Sequence, residues 1–164
     1  MVEADAHDVY VLNNSSNVMR YLGSERTLTS PDEALALLRT RIFPQYQNYS
    51  VGRWAVILKP NSAFIGWCGL KYDPAANEYD LGYRFIQNYW GKGYATEAAR
   101  GVIEYCRQHL VGKRIVGKAL IENVASIRVL EKIGMRFERH EKDNDGTVAV
   151  YSLNIEPSEL KIEL

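Results

Sequence analysis

The feature that most constrains this chain is a strand that runs through a glycine turn directly into a long amphipathic helix. From Glu78 to Ile86, the residues Tyr79, Leu81, Tyr83 and Phe85 alternate with Asp80, Gly82 and Arg84. That period of two is the signature of a half-buried strand. From Lys92 to Leu110, the residues Ala95, Ala98, Ala99, Val102, Ile103, Cys106 and Leu110 form one apolar stripe at helical spacing. Between them lie Tyr89-Trp90-Gly91-Lys92-Gly93. Glycines permit backbone shapes closed to other residues and let a ligand approach the main chain. The first N–H groups of the helix have no helical partner, and the macrodipole is positive there. Such an end is an anion site, and Lys92 adds a full charge. The spacing matches neither GxxxxGK[ST] nor GxGxxG, because Thr96 stands where the last glycine should be. A strand-to-helix turn with no ligand is the alternative on spacing alone.

The remaining elements follow from local pattern. Residues 3–12 read as a helix, and Ser30-Pro31-Asp32-Glu33 as the start of another, with a cap, an early proline and acids in the first turn. Pro44 is expected to bend or end that second helix. Strands are expected over 54–58, 63–70, 78–86, 114–121, 135–141 and 147–155, with a short helix over 125–133 closed by Gly134. Asn144-Asp145-Gly146 reads as a hairpin turn. Helices first, then β-β-β-α-β-α-β-β, describes a mixed α/β sheet with helices on both faces, here expected as a single domain over residues 1–164.

Charge and composition exclude several functions. The chain has 20 Lys and Arg against 20 Asp and Glu, so no overall positive field recruits nucleic acid. No apolar run approaches the ~18–20 residues of a membrane span. Met1 to Val11 carries Glu3, Asp5 and Asp8 and no signal-like core, so secretion is not indicated. Cys68 and Cys106 sit in apolar segments and read as buried thiols of a reducing cytoplasm. No metal-ligand spacing is present, so no metal is expected. The zero total hides an asymmetry: from Trp90 to Lys142 there are eleven basic residues and six acidic ones. A polyphosphate would be attracted to that segment.

Five blocks stand in order along the chain: Phe64-Ile65-Gly66-Trp67-Cys68-Gly69-Leu70, Leu81-Gly82-Tyr83, Trp90 to Ala98, Asn123-Val124-Ala125-Ser126 and Leu130 to Met135. Together they resemble the GNAT superfamily of acetyl-CoA-dependent N-acetyltransferases, and most of all its branch of ribosomal-protein alanine and serine N-acetyltransferases. Their order and spacing match the family from about Ala63 onward.

The resemblance implies a mostly antiparallel sheet of the acyl-CoA N-acyltransferase type and acetyl-CoA (coenzyme A) as acyl donor. It places the pyrophosphate on main-chain N–H groups of the loop Gly91, Lys92, Gly93, Tyr94, Ala95 and Thr96, with Trp90 where relatives carry Gln or Arg. It places the pantetheine arm along the strand edge at Phe85 and Ile86, where a backbone N–H serves as oxyanion donor. Asn123 aligns with a residue that contacts the cofactor arm, and also reads as a helix N-cap. Many relatives place a Tyr acid where this chain has Leu130, so Ser126, one turn earlier, is the expected acid. Asp80 is the expected base, with Glu78 second. The acceptor is an amine: a peptide N-terminus, or alternatively a polyamine, amino acid or aminoglycoside, with Tyr46, Tyr49 and Tyr72 as candidate pocket aromatics. A non-catalytic acyl-CoA sensor and a nucleotide-phosphate binder are the competing classes. Relatives also open with a strand that this chain lacks before its first helix, leaving a sheet edge exposed or covered by another chain, so a second copy is a candidate partner.

Overall fold

The computed structural model of the chain describes residues 1–22 and 27–156. Its strands are β1 (Arg53–Leu58), β2 (Ala63–Asp73), β3 (Glu78–Phe85), β4 (Arg114–Leu120), β5 (Arg136–Asp143) and β6 (Gly146–Asn154). Its helices are α1 (Ala6–Asn13), α2 (Ser16–Met19), α3 (Pro31–Leu37), α4 (Phe43–Tyr49), α5 (Tyr94–His109) and α6 (Val124–Lys132). All six strands join one sheet in the order β1-β2-β3-β4-β6-β5. Every pair is antiparallel except β3 with β4. A parallel pair needs a long crossover, and α5 supplies it. This is the mixed sheet the sequence predicts.

Each face of the sheet carries its own apolar cluster. On one face the stripe of α5 buries Ala99, Val102, Ile103 and Cys106 against Leu70, Leu81 and Ile115, and α6 adds Leu130. Each fully buried Val, Leu or Ile contributes roughly 1.5–3 kcal/mol. On the other face Val9, Leu12, Ala34 and Leu38 of the first helices cover Phe64, with Ala55 and Trp67 packed at the rim. Cys68 and Cys106 are both buried, and burial pushes each thiol up to about 12. They are apolar filling, as expected, and poor nucleophiles.

Local signals hold closely at the element ends. Ser30 Oγ accepts from the Glu33 N–H at 3.2 Å, and Pro31 begins α3. Asn123 Oδ1 accepts from the Ser126 N–H at 3.1 Å and caps α6. Pro44 behaves differently from expectation. The helix neither bends away nor ends there; it passes through a π-type turn over Leu38–Ile42 and continues as α4, with Pro44 in the first turn. Proline has no N–H to return to Thr40, so the ladder widens by one residue just before it. The β5–β6 hairpin also closes one residue earlier than expected, because Asp143 pairs with Gly146 and leaves only Asn144-Asp145 in the turn.

Among the described residues no strand precedes β1, which is therefore one edge of the sheet, with Ile57 exposed on it. The Tyr49 and Tyr72 rings meet as a tilted pair with centroids 4.8 Å apart and pack against the main cluster, while Tyr46 donates to the Arg53 carbonyl. None of the three lines the cleft described below.

Candidate active site

The site is built where β3 and β4 part. Their pairing covers only Tyr79 to Leu81 against Ile115 to Gly117. Beyond Leu81, β3 leans toward β2 instead. Gly66 makes that possible: a Cβ there would lie 2.2 Å from the Arg84 carbonyl oxygen and 2.8 Å from the Phe85 Cα. On the far side, Gly117 lets α6 settle on β4, since a Cβ would meet Leu130 at 2.7 Å. Two close approaches, one on each side, leave a window through the sheet.

Main-chain polarity along the window follows from the ladder. The Ile86 N–H donates to the Ile65 carbonyl at 3.0 Å, which commits it to β2. Consecutive residues of an antiparallel strand point their N–H groups to opposite sides. Tyr83 and Phe85 therefore aim theirs at the window. Of the two residues the sequence places on this edge, Phe85 is the one whose N–H faces it. The Phe85 carbonyl accepts from the Trp90 indole N–H at 2.7 Å, so Trp90 fastens the following loop to the strand end.

That loop has the geometry its glycines imply. Gly91 (φ 73°) and Gly93 (φ 88°) are both left-handed, and a Cβ on either would meet no atom within 4 Å. The first helical bond of α5 runs from the Glu97 N–H to the Gly93 carbonyl. The N–H groups of Gly93, Tyr94, Ala95 and Thr96 thus point out of the helix end into open space. The Lys92 ammonium lies 5.6 Å from the Tyr89 ring centroid. A diphosphate fits here on chemistry and room: convergent amide donors, the positive end of a 16-residue helix, and no side chain filling the approach.

Three of the basic residues between Trp90 and Lys142 are held away from this loop. Arg114 pairs with Glu78 and Glu138, Lys118 with Glu141 at 3.2 Å, and Arg139 with Glu138 at 3.3 Å, all across the opposite face of the strands. Lys92 is the basic residue within the loop itself.

Beneath the window lies a cleft of roughly 740 Å³ that brings Asp80, Glu78, Asn123 and Ser126 together. Asp80 Oδ2 accepts from Arg53 Nη2 at 2.7 Å, and the Arg53 guanidinium also donates to the Asp80 carbonyl at 3.1 Å. Arg53 is largely buried, its side chain 13% exposed, and its guanidinium lies 5.1 Å from the Trp67 ring centroid. Gly82 leaves room for it, since a Cβ would meet its Nη1 at 2.6 Å. Glu78 stands two residues farther from the window and is bound to Arg114.

Ser126 lies across the window in the first turn of α6. Its Oγ is 2.9 Å from the Tyr83 hydroxyl, which also donates to the Ser126 carbonyl at 2.8 Å. Asn123 caps this turn through Oδ1, so Nδ2 is the end of its side chain that would serve the cofactor arm. Leu130, one turn on, is buried in the main cluster. The sequence reading missed Arg53, Gly82 and Tyr83 as site residues. For Tyr83 a signal existed, since its alternation puts a polar-tipped ring on the helix-facing side of β3. Arg53 carried none, because its partner is 27 residues away.

Comparison with known proteins is consistent with this geometry. The family model described as acetyltransferase (GNAT) domain matches residues 1–136. YkkB of Bacillus subtilis (strain 168) is 38% identical over 111 residues, 64% of this chain and 62% of that protein, so this match spans less than two thirds of the relative. YnaD of the same organism, an uncharacterised N-acetyltransferase, is 32% identical over 134 residues, 82% of this chain and 75% of its own length. The ribosomal L7/L12 α-N-protein acetyltransferase RimL, solved with coenzyme A, shares the fold, with a TM-score of 0.81 at 16% identity over 95% of this chain and 92% of that one.

Proposed function

The chain belongs to the GNAT acetyltransferase family, and on that premise we propose that it transfers an acetyl group from acetyl-CoA to a primary amine. One observation supports this reading above the others: the window between β3 and β4 has an anion-binding helix end at its mouth, a carboxylate on one side and a hydroxyl on the other. Acetyl-CoA supplies the activated acyl group as a thioester. The N–H groups of Lys92 to Thr96 hold its pyrophosphate, and the Phe85 N–H faces the window where charge develops on the acyl oxygen. Asp80 receives the acceptor ammonium and removes its proton, with Arg53 fixing one carboxylate oxygen and leaving Oδ1 to meet the amine. Ser126 passes its hydroxyl proton to the departing sulfur and takes back the remaining amine proton of the tetrahedral adduct as the C–S bond breaks, so neither an alkoxide nor a charged amide nitrogen is left.

The acceptor reading that fits best is an exposed amine on a larger molecule, such as a peptide N-terminus. The cleft is broad and mixed in charge, lined by Lys71, Asp73, Lys118 and Glu141 as well as the pair at its floor. The likeness to RimL is one of fold and does not select among acceptors. A second reading, an acyl-CoA sensor that binds without turnover, is favoured by the apolar Leu130 at a position where many relatives carry a Tyr acid.

The base assignment has a direct test. Asp80→Asn keeps the shape and can still accept from Arg53, but cannot take a proton. Turnover is expected to fall about a hundredfold with acetyl-CoA affinity unchanged. Parent-like steady-state kinetics in the variant remove Asp80 from the reaction.

A further inference from the structure

Every polar atom of Ser126 is held, and two of the three are held by one residue. Its N–H goes to Asn123 Oδ1 at 3.1 Å, while its carbonyl and its Oγ both meet the Tyr83 hydroxyl, at 2.8 and 2.9 Å. Tyr83 stands two residues past the last β3–β4 pair, so its ring crosses the window that the backbone leaves open. A phenol has one proton, which allows two arrangements. When Tyr83 donates to the carbonyl, Ser126 Oγ–H can turn back onto the phenol oxygen, away from the cleft. When Tyr83 donates to Oγ, the serine proton is directed into the cleft, and the serine is a better donor because its oxygen is already hydrogen-bonded. Burial pushes the Tyr83 phenol well above its ordinary range, so it keeps its proton through neutral and mildly alkaline pH.

We propose that Tyr83 is a positioning residue for acetyl transfer, holding Ser126 Oγ so that the serine proton faces the departing sulfur. The proposal rests on Ser126 being the acid. Alternation along β3 gives the face on which the tyrosine stands but not its partner, because the two residues lie 43 positions apart. No proton leaves Tyr83; its O–H only changes acceptor.

The test is a double-mutant cycle with Tyr83→Phe, Ser126→Ala and the pair combined. The readout is coenzyme A thiol release from acetyl-CoA with spermidine, kanamycin or an Ala- or Ser-terminated tripeptide. The same cycle on acetyl-CoA alone, with water as acceptor, needs no amine. Tyr83→Phe is expected to lower kcat roughly tenfold with KM for acetyl-CoA unchanged, and Ser126→Ala about a hundredfold. The combined variant is expected to match Ser126→Ala, since a residue acting through the serine hydroxyl has nothing to act on once it is gone. Ser126→Thr, which keeps a hydroxyl, is expected to remain sensitive to Tyr83→Phe. If Tyr83→Phe costs the same factor with and without Ser126, or costs nothing, the positioning role is overturned while the acid role stands. If Ser126→Ala alone turns over like the parent, the acid assignment fails first, and the Tyr83 role with it.

Discussion

Gly93→Val is expected to abolish measurable coenzyme A binding while leaving the fold in place. Gly93 is left-handed at φ 88° and serves as the N-cap of α5. A β-branched residue there costs of order 1–3 kcal/mol in backbone strain or drives the loop out of shape. The side chain also has a direction to grow in. Apart from its chain neighbours, nothing lies within 4 Å of a Cβ at this position, so the space a valine would fill is the approach to the exposed amides. Loss of convergent donors and loss of room act together. Calorimetry should show affinity weakened at least about a hundredfold, near 2.7 kcal/mol, with circular dichroism confirming a folded variant. Normal affinity in the folded variant would remove the loop from the cofactor site.

Gly66→Ala is expected to be strongly destabilising and to disturb the window as well as the fold. Its Cβ would lie 2.2 Å from the Arg84 carbonyl oxygen and 2.8 Å from the Phe85 Cα, both backbone atoms that cannot rotate aside. The strands must separate there. Overpacking of this kind costs about 3 kcal/mol, which for a chain of this length lowers Tm by about 6–12 °C. Separation also pulls Phe85 toward β4 and narrows the window, so kcat should fall further than the folded fraction alone explains. An unchanged Tm would mean that the close β2–β3 approach does not shape the window.

How much of this could be read from sequence depends on how far apart the interacting residues lie. The α5 stripe and the alternation of β3 are local periodicities, and both were legible to within two residues. The Ser30 cap and the Asn123 cap are contacts over three residues, and both hold. The π-type turn before Pro44 was not legible, because a missing N–H can be met by ending, kinking or widening a helix, and packing decides. The window was not legible either. It arises from Gly66 meeting Arg84 and Phe85, and from Gly117 meeting Leu130, contacts that no local pattern encodes. The candidate site divides the same way. The glycine loop is visible as a motif, and Asp80 and Ser126 came from resemblance to the family. What holds them, Arg53 on one side and Tyr83 on the other, comes from 27 and 43 residues away. Arg114, Lys118 and Arg139, three of the eleven basic residues between Trp90 and Lys142, lie in ion pairs away from the loop, which a count along the chain does not show.

The central claim is that the window joins an acyl donor on one side to an amine on the other. The measurement that tests it most directly is thiol release from acetyl-CoA across a panel of amines: Ala- and Ser-terminated peptides, spermidine, free amino acids and an aminoglycoside, with mass spectrometry of the products. The account predicts amine-dependent thiol release with an equal amount of acetylated amine, fastest for a peptide N-terminus. Tight coenzyme A binding with no amine-dependent release across the whole panel would contradict it and leave a binding protein on an acetyltransferase fold.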